Sequence, residues 1–166
     1  MIKQLDPSDF PLAAQVIRAS FATVAKDFGL TEQNCPTHTS FVTTTERLQS
    51  QFDRGCLMYG LYDTTGAQCA PLRGYVSLSK EADGTFELHN LAVLPEHRRK
   101  GCGKALLDFC KAKVKELGGN KIVIGIIEEN TMLKNWYAAN GFVHTGTQKF
   151  GHLPFTSGYM EWEARA

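Results

Sequence analysis

Residues 91–107 read LAVLPEHRRKGCGKALL, and this stretch decides the interpretation of the whole chain. An apolar run ends at Pro95, Lys and Arg side chains with two glycines follow, and the stretch then passes into apolar residues at helical spacing. The order predicts a strand, a tight turn and an amphipathic helix from Gly101 to Leu117. The residue types of the turn indicate a binding function.

That turn is suited to a phosphate group. Gly101 and Gly103 let the backbone approach a ligand closely, and the unpaired N–H groups of a helix start lie at its positive end. Positive side chains are added by Arg98, Arg99, Lys100 and Lys104. We therefore predict a pyrophosphate site, although Gly-x-Gly alone also fits an ordinary basic turn. A Walker loop is absent, and Leu106 replaces the third glycine of the dinucleotide fingerprint.

The strand before the turn, Phe86 to Leu94, predicts a β-bulge. Apolar residues alternate at Phe86 and Leu88, the alternation slips at Asn90, and the next four residues are all apolar. Such a slip is typical of a bulge, which leaves backbone groups unpaired. Upstream, Asp83-Gly84 is a hairpin signal.

The rest of the chain predicts an α/β fold, a mixed sheet with helices on its faces. Strands are expected at Ile2–Leu5, Leu57–Tyr62, Leu72–Leu78, Ile122–Ile127, Phe142–Phe150 and Phe155–Glu163. Helices are expected from Leu12 to Lys26, from a Thr43-x-x-Glu46 capping box to Phe52, and at Thr131–Ala139, with a loop at Gly29–Ser40 and a turn at Asp63–Gly66. The β-branched run at 122–127 predicts a parallel strand covered on both faces.

Composition bounds the class of protein. The 166 residues fit one domain, 1–166, and 43% of them are apolar. Lys plus Arg is 18 and Asp plus Glu is 17, a balance that predicts no nucleic-acid or membrane partner. The chain lacks an apolar run of membrane-span length and an N-terminal signal, so we expect a cytoplasmic protein. The five cysteines contain no C-x-x-C pair and are interpreted as free thiols, with no metal site.

Two segments resemble the signatures of the GNAT superfamily of N-acetyltransferases. Residues 91–107 are similar to its strand ending in V-x-P, followed by [QR]-x-x-G-x-[GA] and a helix. Asn130 and Tyr137–Phe142 resemble its second signature, N-x(6)-Y-x-x-x-G-F, at the usual separation; Leu133 departs from the Ala of many members. The resemblance covers Met1 to Glu163. It implies the acyl-CoA N-acyltransferase fold: a mostly antiparallel sheet, a parallel pair splayed around the coenzyme, and helices on both faces.

The resemblance also implies roles for individual residues. The resemblance implies that the co-substrate would be acetyl-CoA and that no metal would take part. The backbone of Leu91, Ala92 and Val93 would bind the pantetheine arm, and Asn130 and Tyr137 would lie near the arm and the thioester. The pyrophosphate would be held by N–H groups from the segment Arg98, Arg99, Lys100, Gly101, Cys102, Gly103 and Lys104.

Acetyl transfer to an amine needs a donor for the thioester oxygen, an acid for the thiolate and a neutral amine. The backbone N–H of Leu91 is the candidate donor. Tyr137 is the candidate acid, because a phenol keeps its proton at neutral pH; a tyrosine packed on the core is the other interpretation. Glu87, His89 or ordered water is the candidate base.

The amine is expected between Phe28–Phe41 and Gly151–Ser157, whose aromatic and acidic residues suit a cationic acceptor. These segments contain Phe28, Glu32, His38, Phe41, His152 and Phe155. Packing of these loops under the sheet explains the same residues. The acceptor, a small molecule or a peptide N-terminus, is not identified, and a homodimer stays open. The rival hypotheses are a coenzyme A-binding sensor without turnover, a longer acyl donor such as succinyl-CoA, and a nucleotide-binding protein.

Overall fold

A computed structural model describes residues 1–64 and 71–165. Part of the predicted turn at Asp63–Gly66, and Cys69, lie outside the described residues. Within these residues there are seven strands: β1 Ile2–Gln4, β2 Leu57–Tyr62, β3 Leu72–Lys80, β4 Thr85–Val93, β5 Lys121–Ile127, β6 Val143–Lys149 and β7 Thr156–Glu163. The α-helices are α1 Phe10–Asp27, α2 Thr39–Val42, α3 Thr45–Asp53, α4 Cys102–Glu116 and α5 Thr131–Ala139.

The strands form one mixed sheet in the order β1-β2-β3-β4-β5-β7-β6. Every neighbouring pair is antiparallel except β4 and β5, which are parallel. This arrangement confirms the predicted mixed fold with one parallel pair. The expectation that β5 is covered on both faces is wrong, because Ile122, Ile124 and Ile126 are buried whereas Val123 is half-buried and Gly125 is exposed.

Two apolar cores lie on opposite faces of the sheet. One joins α4 and α5 to the sheet through buried residues such as Leu106, Cys110 and Tyr137. The other joins α1 and α3 through residues such as Phe10 and Leu48. Helices therefore cover both faces, as predicted, and amphipathic helices bury their apolar side on each. Among the residues described, no helix combines the length and the apolar character that a membrane crossing needs.

The bulge predicted at Asn90 is confirmed, and it changes which side chains face which core. Asn90 has a positive φ of 52°. Asn90 and Leu91 fall between the cross-strand pairs Ser77–His89 and Tyr75–Ala92, so two residues of β4 oppose one of β3. Before the bulge Leu88 packs in the α4 core; after it Leu91 does so, and Ala92 joins the α1 core.

Two local predictions need correction. The N-cap of α3 is Thr44, whose hydroxyl accepts a hydrogen bond from the N–H of Arg47 at 3.1 Å. The predicted cap, Thr43, is buried and donates its hydroxyl proton to the carbonyl of Thr39. The predicted loop at 29–40 is also shorter than expected, since the end of it forms the start of α2.

Candidate functional site

The parallel strands β4 and β5 separate soon after they meet. They are paired only over Thr85–Glu87 and Lys121–Val123. Beyond Glu87 the bulge interrupts the regular pairing of β4. Leu91 has no cross-strand partner in either neighbouring strand, β3 or β5. Backbone groups in such a gap are open to an extended ligand, which can add to the free strand edge as another strand would.

The gap leads from the bulge to the first turn of α4. At Gly103, a Cβ atom would lie 3.5 Å from Trp136 Cζ2 and 3.9 Å from Val93 Cγ2, so this glycine faces the end of β4 and α5. Leu91 and Val93 pack against the core on this side. The structure thus brings the predicted pantetheine segment and the predicted phosphate turn to one continuous edge.

The start of α4 has the features of an anion site. Its N-cap is Gly101, at a φ of 81°, and no side chain in the described ranges caps the helix. Arg99 also has a positive φ, 61°, a conformation that costs a non-glycine residue about 1 kcal/mol. Left-handed residues in a turn can bring successive backbone N–H groups to one side, as in anion-binding nests. Arg99 and Lys100 are exposed beside it, whereas Lys104 is held by Asp108 at 2.6 Å.

Arg98 has a different role from its neighbours. Its guanidinium donates to the carbonyl of Val93 at 3.1 Å, to the carbonyl of Ser20 at 2.8 Å and to Thr23 Oγ1 at 2.9 Å. Its own N–H donates to the carbonyl of Pro95. Arg98 thus anchors the predicted phosphate turn to β4 and α1, and Nε and both Nη atoms of its guanidinium already have protein partners.

Replacing Arg98 by Ala is expected to raise the Kd for coenzyme A about 10-fold, because three hydrogen bonds that position the turn are lost. Arg98→Lys keeps the charge but cannot make three divergent contacts, so it should behave like Ala. Calorimetry measures both. Arg18→Ala, which removes an exposed charge from α1, is the matched control. Equal affinity in Arg98→Lys and the parent would show that Arg98 contributes only charge.

Tyr137 lies in the core beside the gap. The residue is 5% exposed, and its ring makes edge contacts with Trp136 at 5.0 Å and Phe142 at 5.3 Å between centroids. Burial raises the pKa of Tyr137, and the nearby Cys110 acts in the same direction. Among the described residues nothing hydrogen-bonds its hydroxyl. The phenol is therefore neutral and has a proton to give.

Asn130 caps α5. Its side-chain oxygen accepts from the N–H of Leu133 at 3.2 Å. Asn130 lies shortly after the end of β5, where β4 and β5 are apart. Its amide N–H₂ has no hydrogen bond to any described residue. Asn130, which the sequence predicted as a ligand contact, therefore also stabilises the start of α5.

The candidate bases project from the other face of β4. Glu87 and His89 alternate with the buried Phe86 and Leu88, so they lie on the α1 side of the sheet. Glu87 Oε2 is 3.8 Å from His89 Nε2, and the side chains are 43% and 38% exposed. The sequence correctly placed the two on one face, but it missed Ser79, whose Oγ is 2.9 Å from His89 Nε2.

The predicted acceptor walls meet on the same α1 side. Phe28 and Phe41 from one segment pack with Leu153 and Phe155 from the other, around a small core that includes Leu30. The aromatic residues therefore have a packing function, as the alternative interpretation expected.

The polar residues of these walls differ in exposure. Glu32 and His152 are exposed. His38 is half-buried beside Ser40, with its Nδ1 2.7 Å from the hydroxyl, and burial lowers the pKa of His38.

Comparisons with known proteins agree with this fold. The sequence profile of the acetyltransferase (GNAT) family matches residues 26–142. No curated protein sequence matches the chain. The PaiA N-acetyltransferase of Thermoplasma acidophilum, crystallised with coenzyme A, is 22% identical over 98% of both chains, with a TM-score of 0.78.

Two further solved structures share the fold. The ribosomal-protein-S18-alanine N-acetyltransferase of Escherichia coli is 16% identical over 100% of this chain and 95% of its own, with a TM-score of 0.77. An aminoglycoside 6'-N-acetyltransferase, complexed with coenzyme A, is 14% identical over 100% and 98%, with a TM-score of 0.71. At these identities the likeness is one of fold.

Proposed function

The chain belongs to the GNAT family of acetyltransferases, and we propose that it transfers an acetyl group from acetyl-CoA to a primary amine, which attacks the thioester directly in a ternary complex. One observation carries the proposal: the gap between β4 and β5 leads from the bulge to the uncapped start of α4. An extended edge that ends at a helix N-terminus suits a long thioester that ends in a pyrophosphate.

In the proposed complex the pantetheine arm lies along the backbone of Leu91, Ala92 and Val93. The N–H groups of the turn from Arg99 to Lys104 bind the pyrophosphate, with Arg98 holding that turn in place. Asn130 donates its free amide N–H₂ toward the arm. No metal is needed, because the turn and helix supply the positive potential.

The chemistry follows from the positions of the polar groups. The bulge leaves the N–H of Leu91 available to the thioester oxygen, where negative charge develops during attack. Tyr137 donates a proton to the leaving thiolate. Burial raises the pKa of a thiol as well as that of a phenol. The leaving thiolate is therefore a stronger proton acceptor in the gap than in water, and the phenol keeps its proton until the thiolate is formed.

The amine approaches from the α1 face, where Glu87 and His89 lie and where the acceptor walls meet. The coenzyme occupies the gap from the other direction, so donor and acceptor meet at the bulge. We place the reaction in the cytoplasm, with a small-molecule amine or a peptide N-terminus as acceptor. Exposed Glu32 suits a cationic substrate.

An amine panel with acetyl-CoA, read by release of free thiol, tests the proposal. Turnover with one class of amine is the expected result. Tight coenzyme A binding with no thiol release from any amine would favour a sensor. Preference for succinyl-CoA would change the donor, and preference for ATP would overturn the assignment of the turn.

The base can be identified from the pH profile of kcat/KM. A general base must be unprotonated to act, so the rate falls on the acidic side as the base gains a proton. If Glu87 is the base, Glu87→Gln should remove or move that limb and lower the rate by about 10²-fold. If His89 is the base, His89→Gln should do so instead.

Persistence of the limb in both variants would show that the free amine's own ionisation sets it. The two substitutions form a matched pair, since each places the same amide side chain on the same face of β4, two residues apart.

A further inference from the structure

Three side chains form a hydrogen-bonded row beside the bulge: Glu81, Ser79 and His89. Ser79 Oγ lies 3.0 Å from Glu81 Oε1 and 2.9 Å from His89 Nε2. Glu87 Oε2 is 3.8 Å from the same Nε2. Within the part of the chain that the structure describes, nothing hydrogen-bonds the other ring nitrogen, Nδ1, and the side chain is 38% exposed.

Counting protons fixes the direction of the row. A serine hydroxyl has one proton, and an ionised carboxylate only accepts. The proton of Ser79 must therefore point to Glu81, and its lone pair faces His89. The contact at 2.9 Å then requires a proton on Nε2. The carboxylate of Glu87 attracts that proton to the same nitrogen. A neutral His89 is thus left with its lone pair on Nδ1.

His89 is also better placed than Glu87. Glu87 is opposite Val123 at the last paired position of β4 and β5. His89 lies beyond this point, where the strands are apart, two residues before Leu91. A base must reach the amine at the thioester, and the gap begins only after Glu87.

We propose that His89 is the general base, that Nδ1 is the atom that takes the amine proton, and that Ser79 and Glu81 are positioning residues that fix this tautomer. The inference rests on the proposed N-acetyl transfer. The amine nitrogen forms a bond to the thioester carbon, and the carbon–sulfur bond breaks.

The proton of the amine passes to Nδ1, directly or through a water, and the thiolate takes the proton of Tyr137. The imidazolium keeps its Nε2–H bonded to Ser79 and is stabilised by Glu87. Solvent then carries one proton from His89 back to Tyr137, which restores the enzyme.

Nitrogen NMR of the uniformly ¹⁵N-labelled protein, without substrate, tests the tautomer. The chain has five histidines, and loss of one signal set in His89→Gln assigns the ring. In the neutral ring, Nε2 should show the shift of a protonated nitrogen and Nδ1 that of an unprotonated one. The reverse pattern, or equal averaging of both, overturns the inference.

Two variants test the positioning role. Ser79→Ala should move both nitrogens toward the averaged shift and lower kcat/KM about 3- to 10-fold, the effect of one hydrogen bond. Ser79→Thr retains a hydroxyl and should restore the tautomer and most of the rate. The Kd for coenzyme A should stay unchanged in both. A Ser79→Ala enzyme with the parent's nitrogen shifts and rate would overturn the positioning role.

These results separate the two proposals. The wrong tautomer in an active enzyme overturns the inference alone. A protein that acetylates no amine overturns the proposed function and, with it, the role of His89, whatever the tautomer.

Discussion

Gly103→Glu is expected to weaken coenzyme A binding by about 10²-fold or more, because a carboxylate would face the pyrophosphate at short range. The fold should survive. A Cβ at this position would be 3.5 Å from Trp136, an ordinary contact, so the backbone can accept a side chain. The longer glutamate side chain has to extend into the gap beside Val93, where we place the coenzyme.

Calorimetry with coenzyme A measures the loss, and circular dichroism checks the fold. Gly146→Glu is the matched control: it makes the same change on edge strand β6, where a Cβ would have no neighbour within 4 Å. Binding should be that of the parent in the control. Unchanged binding in Gly103→Glu would remove the phosphate site from this turn.

Tyr137→Phe is expected to lower kcat by about 10²-fold or more, with a modest change in KM, because the thiolate loses its proton donor. The ring contacts with Trp136 and Phe142 are preserved in phenylalanine. Since no described residue bonds the hydroxyl, its removal leaves no partner unsatisfied, and stability should hardly change.

Tyr59→Phe serves as the control for loss of a buried phenol. Tyr59 is 3% exposed in the same core, its ring packs on Phe109 at 4.8 Å, and burial raises its pKa to about 12. It lies on β2, away from the parallel pair. Steady-state rates of both variants distinguish a catalytic Tyr137 from one that only packs in the core. A kcat within about two-fold of the parent for Tyr137→Phe would show that Tyr137 is a core residue only.

Much of the fold was predictable because its signals are local. The φ angles of Asp83 and Gly84 are positive, 56° and 75°, as a type I′ turn requires. An Asp-Gly pair favours this turn, so it could be predicted from the sequence. The bulge at Asn90 was visible because a slip in alternation moves apolar residues to the other face. The start and end of α5 agree with the prediction for the same kind of reason.

The contacts of the proposed base, His89, were not predictable from the sequence, because they depend on the register of β3 against β4. A two-residue hairpin at Asp83-Gly84 would pair Lys80 with Glu87. The observed register pairs Ser79 with Glu87 instead, because Glu81 and Ala82 both hydrogen-bond Thr85 beside the two-residue turn. This additional residue on the β3 side brings Ser79 to the face of His89. Without this shift Ser79 would lie on the opposite face of the sheet.

The hydrogen bonds of Arg98 could not be predicted either, because its partners are distant in the sequence. Its partners Ser20 and Thr23 are more than seventy residues away in the chain, as the separations of 78 and 75 show. Sequence spacing shows a cationic turn but cannot tell which cation faces the ligand and which fastens the turn to α1. The side chains of Arg98 and Lys104 both have protein partners, so Arg99 and Lys100 are the cations we expect to face the proposed phosphate.

Transfer of an isotopically labelled acetyl group tests most directly whether the amine attacks acetyl-CoA in a ternary complex. The protein is mixed with acetyl-CoA labelled in the acetyl carbons and with an amine that releases thiol in the panel, and the products are analysed by mass spectrometry. Direct transfer should give one labelled acetyl group on the amine nitrogen for each free thiol, with no labelled acetyl group retained on the protein. Thiol release without an acetylated amine, or an acetylated enzyme that forms before the amine is added, would contradict direct transfer in a ternary complex.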